Sequence, residues 1–407
     1  MAEARPTFDI GDPLLARAAW SRIAEPGDQV AGALVTHLGA GDALAWLYDA
    51  ASGTSPVVQR LLEQHPERPS VGRVQRAVER WRGRLAALDP GRELRALDRL
   101  GGALLVPGDP RWPTAVDDLG DAAPLALWVR GATDLGDLAR RSVALVGARA
   151  CTEYGHHVAA DLASGLVDRR FTIVSGGAYG IDAAAHRGAI AARGRTVAFL
   201  AGGVDRLYPA GNTDLLQAVL DEGSIVSEVP PGSVPSRVRF LQRNRLIAAF
   251  SRATVVVEAA WRSGALSTAT HATALLRPVG AVPGPVTSMA SGGCHQLLRD
   301  AKAVCVTDAD EAAELAGHVG TDAPTPRAGR PAPQDDLDEL GKRLWDALPL
   351  RAHATVDSLA RTAGLGLDET LGGLGHLELA GLAEQSGGRW RRAARPVPGV
   401  GSAARRG

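Results

Sequence analysis

Between Glu228 and Glu258 the chain carries no acidic residue, yet it places five arginines there: Arg237, Arg239, Arg243, Arg245 and Arg252. Around them, short apolar runs alternate with glycine-rich turns and helical stretches. Positive charge gathered beside loops that can expose backbone N–H groups is the chemistry of an anion site, and an extended one suits a polyanion. A solvated basic face is the competing reading; the glycine turns tip the balance. Gly147-Ala148-Arg149 lets the backbone approach an anion closely, and Arg149 offers a bidentate grip on a phosphate. Ser175-Gly176-Gly177-Ala178-Tyr179-Gly180-Ile181-Asp182 supplies a second N–H-rich nest. There Tyr179 is placed to stack on a base, and Asp182 to cap the helix that follows. Ser263-Gly264-Ala265 opens a third helix, with Ser263 as its N-cap and the N–H groups of residues 264–266 free for an anion. Residues 240–250 read as a helix starting near Gln242. On that helix Arg245 lies almost opposite Arg243, so the Arg243-Asn244-Arg245 triplet cannot close both guanidinia on one phosphate.

Catalytic chemistry finds little support. A dinucleotide site needs GxGxxG, and the first turn reads Gly147-Ala148-Arg149-Ala150-Cys151-Thr152 instead. The next strand ends at Val174-Ser175, without the acid that holds a ribose diol. No GxSxG elbow is present. His186 follows three alanines on a core-facing helix and reads as structural, while His271 and His295 lack partners at metal-ligand spacing. Glu258 is the carboxylate nearest the sheet mouth and reads as orienting Arg or backbone groups. Cys151, Cys294 and Cys305 make neither a disulfide framework nor a CxxC pair. No metal and no cofactor is expected.

The elements that must position these loops follow from periodicity. From residue 142 onward, strands without polar alternation are separated by helices, which predicts a parallel sheet covered on both faces. The expected fold is α/β: a Rossmann-like domain with a helical N-terminal domain and a C-terminal winged helix. The expected boundaries are 1–90 for the helices and 91–141 for an extension on the sheet edge. The Rossmann-like DNA-binding domain takes 142–308, a proline-rich linker 309–336, the winged helix 337–395 and a flexible tail 396–407. The 407 residues carry 45 basic and 45 acidic side chains, which excludes a uniformly basic nucleic-acid coat. No apolar run approaches a membrane span, and MAEARPTFDI lacks a signal-peptide pattern. A cytoplasmic protein with no membrane partner is the expectation.

Read together, these stretches resemble the DNA processing protein A family (DprA, also called Smf). The resemblance rests on SVALVGARACTEYG, IVSGGAYGIDAAAHRGA, LAGGVDRLYPAGN, SEVPPG, RFLQRNRLIAAFSRATVVVEAAWRSGALSTA, AVPG and SGGCHQLLRDAKAV, in family order over residues 142–304. It implies a single-stranded DNA-binding protein that protects incoming DNA during natural transformation and loads the RecA recombinase onto it. It further implies no catalytic turnover and a homodimer formed through the Rossmann-like domain. The family's GSR turn falls on Gly147, Ala148 and Arg149, its SGxAxGID loop on Ser175–Asp182, its RNR signature on Arg243, Asn244 and Arg245, and its RSGA turn on Arg262–Ala265. Ala148 replaces the usual serine, removing a hydroxyl contact, and Tyr179 stands where many relatives have a basic or small residue. The candidate recognition helix, residues 368–379, has no Lys or Arg; the wing carries Arg389, Arg391 and Arg392. This favours a protein or weak backbone contact over sequence reading. A nucleotide-processing enzyme of the phosphoribohydrolase type is the alternative, but its glutamate beyond the glycine turn is missing, since no acid follows Glu258 until Asp300. A winged-helix transcription factor is a second alternative, disfavoured by that recognition helix.

Overall fold

The apolar runs of the central strands are buried because helices cover the sheet on both faces. The computed structural model describes residues 6–51, 71–317, 322–323 and 337–393. They form two compact units, Met1–Thr325 and Pro326–Gly407.

The first unit begins with helices α1 (Pro13–Ile23), α2 (Gln29–Leu38), α3 (Ala40–Ala51), α4 (Val71–Leu85) and α5 (Pro90–Asp98). Asp12 and Asp28 cap α1 and α2 by accepting from the first free N–H groups. Trp20 and Trp81 meet edge to face at 5.4 Å in the centre of this layer. The bundle is not a separate body: the Trp128 indole N–H donates to Ser21 Oγ at 3.1 Å, and Arg22 reaches Pro231 O at 2.8 Å.

Strands follow as β1 (Ala103–Leu105), β2 (Leu127–Gly131), β3 (Ser142–Gly147), β4 (Thr172–Gly176), β5 (Thr196–Leu200), β6 (Ser224–Ser227), β7 (Ala253–Glu258), β8 (Val279–Ala281) and β9 (Val304–Cys305). Between them lie α6 (Leu135–Arg140), α7 (Glu153–Asp168), α8 (Ile181–Ala191), α9 (Thr213–Glu222), α10 (Arg237–Phe250), α11 (Ala265–Ala274) and α12 (Gly292–Arg299), and α13 (Ala309–Ala316) closes the unit. The sheet order is β1-β2-β6-β5-β4-β3-β7-β8-β9. The seven strands from β6 to β9 run parallel, and β2 and β1 extend the β6 edge antiparallel. The extension expected from residues 91–141 is this edge. Strand order reverses between β3 and β7, and such a switch point opens a crevice at the carboxyl ends of the two strands.

Two boundaries differ from the sequence reading. Helix α10 starts at Arg237, not near Gln242, because Ser236 Oγ accepts from the Arg239 N–H at 3.2 Å and supplies the N-cap. The segment from 309 is not yet linker: Asp308 caps α13, whose Ala312, Ala313 and Ala316 pack into the core beside α7.

The second unit contains α14 (Glu339–Ala347), α15 (Val356–Ala363), α16 (Leu367–Leu379) and the hairpin β10 (Ala383–Ser386) and β11 (Arg389–Arg392). Leu344, Leu359, Leu374, Leu377 and Trp390 form its core. Three helices and a wing make the expected winged helix. Among the described residues no single helix is long and apolar enough to cross a membrane.

One ion pair ties the layers of the first unit together. Arg245 grips Glu228 through two bonds of 2.6 and 2.7 Å, and its Nε donates to Ala122 O at 3.0 Å. Both side chains are buried, at 3% and 10% exposure. Removing one member strands the other charge away from water, which costs about 3–5 kcal/mol. Arg245→Ala is expected to lose stability on that scale in urea unfolding, and adding Glu228→Ala to recover part of it. Additive losses would show that the two groups do not depend on each other.

Candidate nucleic-acid interface

Where the strand order reverses, the carboxyl ends of β3 and β7 diverge and leave a pocket of about 470 Å³. Gly147, Arg149 and Ala150 line it from β3, and Arg262, Ser263, Gly264 and Ala265 from the turn after β7. Helix α10 contributes Phe240, Arg243 and Asn244, and Asp182 comes from the start of α8. Seven of the predicted site residues therefore converge: Gly147, Arg149, Arg243, Asn244, Ser263, Gly264 and Ala265.

Each wall has a local cause. A Cβ on residue 147 would sit 2.5 Å from the Ile181 side chain and 2.7 Å from Glu258 O, so only glycine lets the turn close. Glu258 is 1% exposed and accepts from the Thr152 N–H at 2.8 Å and the Thr152 hydroxyl at 2.7 Å. It orients backbone, as expected, and faces the loop from behind. Asn244 donates to Ser267 Oγ at 2.8 Å and Gly264 O at 3.2 Å, which locks the third turn to α10. That turn is less open than its sequence suggests: the Ala265 and Leu266 N–H groups already donate to Ser263 Oγ and Ser263 O, at 3.3 and 3.2 Å.

Arg243 makes the floor electropositive. Its guanidinium lies in space that residue 176 leaves free, since a Cβ there would fall 1.8 Å from Arg243 Nη1. Nη1 donates to Phe199 O at 2.6 Å, while Nε is buried with no protein partner. Burial lowers its pKa, against the attraction of Asp182. Burial likewise raises the Asp182 carboxyl, opposed by Arg243 and an N–H bond from Ala178. A guanidinium stays charged under such conditions, and among the described residues this one makes no ion pair, Asp182 acting on it only at longer range. Near it, the Phe240 ring meets two cations, Arg149 at 4.6 Å and Arg243 at 5.9 Å from its centroid. Tyr208, half-exposed, packs beside Phe240 at 6.2 Å. The result is an aromatic platform edged by arginine.

The other predicted residues lie elsewhere. Ser175, Gly176 and Gly177 are buried and do not line the pocket. The Ser175 hydroxyl donates to Leu145 O at 2.6 Å, and Gly176 and Gly177 make room for Arg243 and Leu200. Gly180 adopts φ 77° and closes against Ala148 O, so it shapes the first turn from below. Tyr179 is 47% exposed, outside the pocket lining, and its hydroxyl accepts from the Gly211 N–H at 3.2 Å. Arg245 is consumed by Glu228, and Arg239 by Glu25 at 2.8 Å. Two of the segment's five arginines are thus spent on structure, Arg237 and Arg252 are exposed outside the pocket lining, and Arg243 is the member that lines it. Sequence reasoning missed Phe240 and Tyr208, whose signal was an aromatic beside each arginine-bearing turn.

His186 is structural. Its Nε2 lies 2.8 Å from Gly176 O and must carry the proton, because a carbonyl only accepts; Nδ1 lies 2.7 Å from Thr196 Oγ1. Burial pushes its pKa down from 6.5 to about 4. The unfolded chain thus binds a proton that the folded chain refuses, and stability falls as pH drops through that window. The expected slope is up to about 1.4 kcal/mol per pH unit. Urea unfolding at stepped pH is expected to show it in the wild type and to lose it in His186→Gln; an unchanged slope in the variant would assign it to other groups.

With the geometry in place, comparison with known proteins gives one family. The family model of DNA recombination-mediator protein A matches residues 103–317, and that of the DprA winged helix domain matches residues 328–389. The putative DNA processing protein DprA of Mycobacterium tuberculosis is 54% identical over 270 residues, 66% of this chain and 69% of that protein. Protein Smf of Escherichia coli is 36% identical over 280 residues, 66% of this chain and 73% of its own length. The X-ray structure of DNA processing protein A from Streptococcus pneumoniae is similar with a TM-score of 0.58 at 26% identity, covering 77% of this chain and 100% of that one.

Proposed function

We propose a function for a chain that belongs to the DNA recombination-mediator protein A family: it binds single-stranded DNA at the crevice between β3 and β7, without turning it over. The observation that carries this is the Phe240 ring in the pocket lining, with Arg149 at 4.6 Å, Arg243 at 5.9 Å and the exposed Tyr208 beside it. Arginines suit phosphates, and an aromatic face suits an unstacked base; a strand that offers both at once is single. Duplex DNA keeps its bases stacked and presents only its backbone to such a platform. In this reading Gly147, Arg149, Arg243, Asn244, Ser263, Gly264 and Ala265 contact the strand, joined by Arg262 and Phe240. Tyr179 and Tyr208 extend the platform outward.

The carboxylates support binding over catalysis. Glu258 is committed to Thr152. Asp182 is buried at the pocket floor, where burial raises its carboxyl pKa against the pull of Arg243. Neither is a solvated base poised at the mouth. Family membership further supports the protection of incoming DNA in natural transformation, the loading of RecA, a homodimer through the Rossmann-like domain and a cytoplasmic setting. For the winged helix we infer no sequence reading. The outer face of α16 exposes Leu367, Leu371 and Leu379, and Arg391 in the wing pairs with Glu384.

The test is anisotropy with a labelled oligothymidylate and its duplex across a salt series. Single-strand binding is expected to be tighter and to weaken steeply with salt. Arg149→Ala is expected to lower the salt slope by about 0.7, and Phe240→Ala to cost about 1–3 kcal/mol with little change in slope. Equal affinity for both DNA forms, or a slope unmoved by Arg149→Ala, would sink this assignment.

A further inference from the structure

A second groove, of about 440 Å³, lies on the other flank of the first turns of α10. Arg73, Arg76 and Arg80 of α4 line one side and Val238 and Gln242 of α10 the other, with the loop from Glu25 to Gln29 as its floor. The spacing of three and four residues places the three arginines on one face of α4. All three are exposed. Their local partners are weak or neutral: Arg73 donates to the Gln29 side chain at 3.3 Å, and Arg80 lies 3.4 Å from Asp28. Asp28 already caps α2. Arg76 has no ion-pair partner among the described residues. The other acid of the floor, Glu25, is shared by Arg84 and Arg239, at 2.7 and 2.8 Å. Glu79 sits about 60–120° around α4 from the three ridge arginines, on its flank. Counted over these groups, five arginines stand against three carboxylates among the described residues, so the groove is positive.

Its position gives the charge a purpose. Leu241 lines the pocket at the strand ends, while its neighbours Val238 and Gln242 line the second groove. The two depressions are separated by the body of one helix, about 10 Å across. We propose that the Arg73-Arg76-Arg80 ridge is a second contact for the sugar–phosphate backbone, which takes the same single strand after it leaves the pocket and crosses the N-terminal turns of α10. This rests on the pocket reading above. It adds a role for the N-terminal helices, which lie outside the matched family region of residues 103–317. The ridge grips phosphates only: among the described residues its groove is lined by no aromatic side chain, so it contributes affinity and salt dependence without stacking.

The experiment compares full-length wild type, the triple variant Arg73→Gln/Arg76→Gln/Arg80→Gln, its triple lysine counterpart and Arg149→Ala. Each is titrated with oligothymidylates of about six and about twenty nucleotides over a salt series. The glutamine variant is expected to bind the short strand as wild type does. It is expected to bind the long strand about tenfold or more weaker, with a salt slope smaller by about 2. The lysine variant restores the slope, which excludes loss of folding as the cause. Long-strand binding unchanged in the glutamine variant would overturn the proposal and leave the ridge to an acidic protein partner. Equal losses on both strands would overturn it too, by showing a general field effect. Arg149→Ala separates the two readings: it is expected to weaken both lengths, and if it weakens neither, the pocket assignment fails whatever the ridge does.

Discussion

Arg243 carries its charge into a space that exists because residue 176 has no side chain. The guanidinium is anchored there by Phe199 O, which ties α10 to β5 at the place where β4 ends. Burying a cation without a carboxylate against it is costly. The fold tolerates this because one edge of the group faces the crevice, where an anion or solvent can approach. Much of the surrounding structure follows from that placement. Phe240, one turn earlier on α10, lines the crevice near Arg149 and Arg243. Asn244, the next residue, reaches across to lock the third turn. Arg245 points to the other side of the helix and bonds Glu228. Three consecutive residues thus serve the pocket, the neighbouring turn and the core.

The division of labour among arginines explains how a chain of zero net charge presents a positive crevice. Those needed for architecture are neutralised locally: Arg245 by Glu228, Arg239 and Arg84 by Glu25, Arg22 by Glu93. Those at the mouth, Arg149 and Arg262, are exposed and have no ion-pair partner among the described residues. Acidic side chains that come close are turned away, as Glu258 is by Thr152, or buried, as Asp182 is. The field at the crevice is therefore set less by the number of cations than by where the anions are spent.

The parallel sheet was legible because its strands lack alternation, and the winged helix because its hairpin surrounds a Gly-Gly turn. The crevice was half legible. Glycine that exposes N–H groups and glycine that makes room for a side chain look alike in sequence, so Ser175, Gly176 and Gly177 read as a nest, whereas Gly176 makes room for Arg243, Gly177 for Leu200, and Ser175 bonds Leu145 O. Arg245 read as a ligand contact because its partner, Glu228, is 17 residues away and bonded only through the fold. Helix α13 was lost to the linker because its buried face is all alanine, a composition that also suits a loop. Helix α10 begins five residues before Gln242 because Ser236, just after Pro235, supplies its cap.

The central claim is that the strand-end crevice, and not the wing, holds the DNA. Photocrosslinking with an oligonucleotide carrying iodinated pyrimidines tests it most directly, because the adduct forms at the aromatic or nearby side chain that stacks on the base. Peptide mapping is predicted to place adducts at Phe240, with Tyr208 or Tyr179 beside it, and to lose them when unlabelled single strand competes. Adducts confined to Trp390 and its neighbours in the wing, with none on α10, would contradict the account and leave the buried Arg243 a purely structural cation.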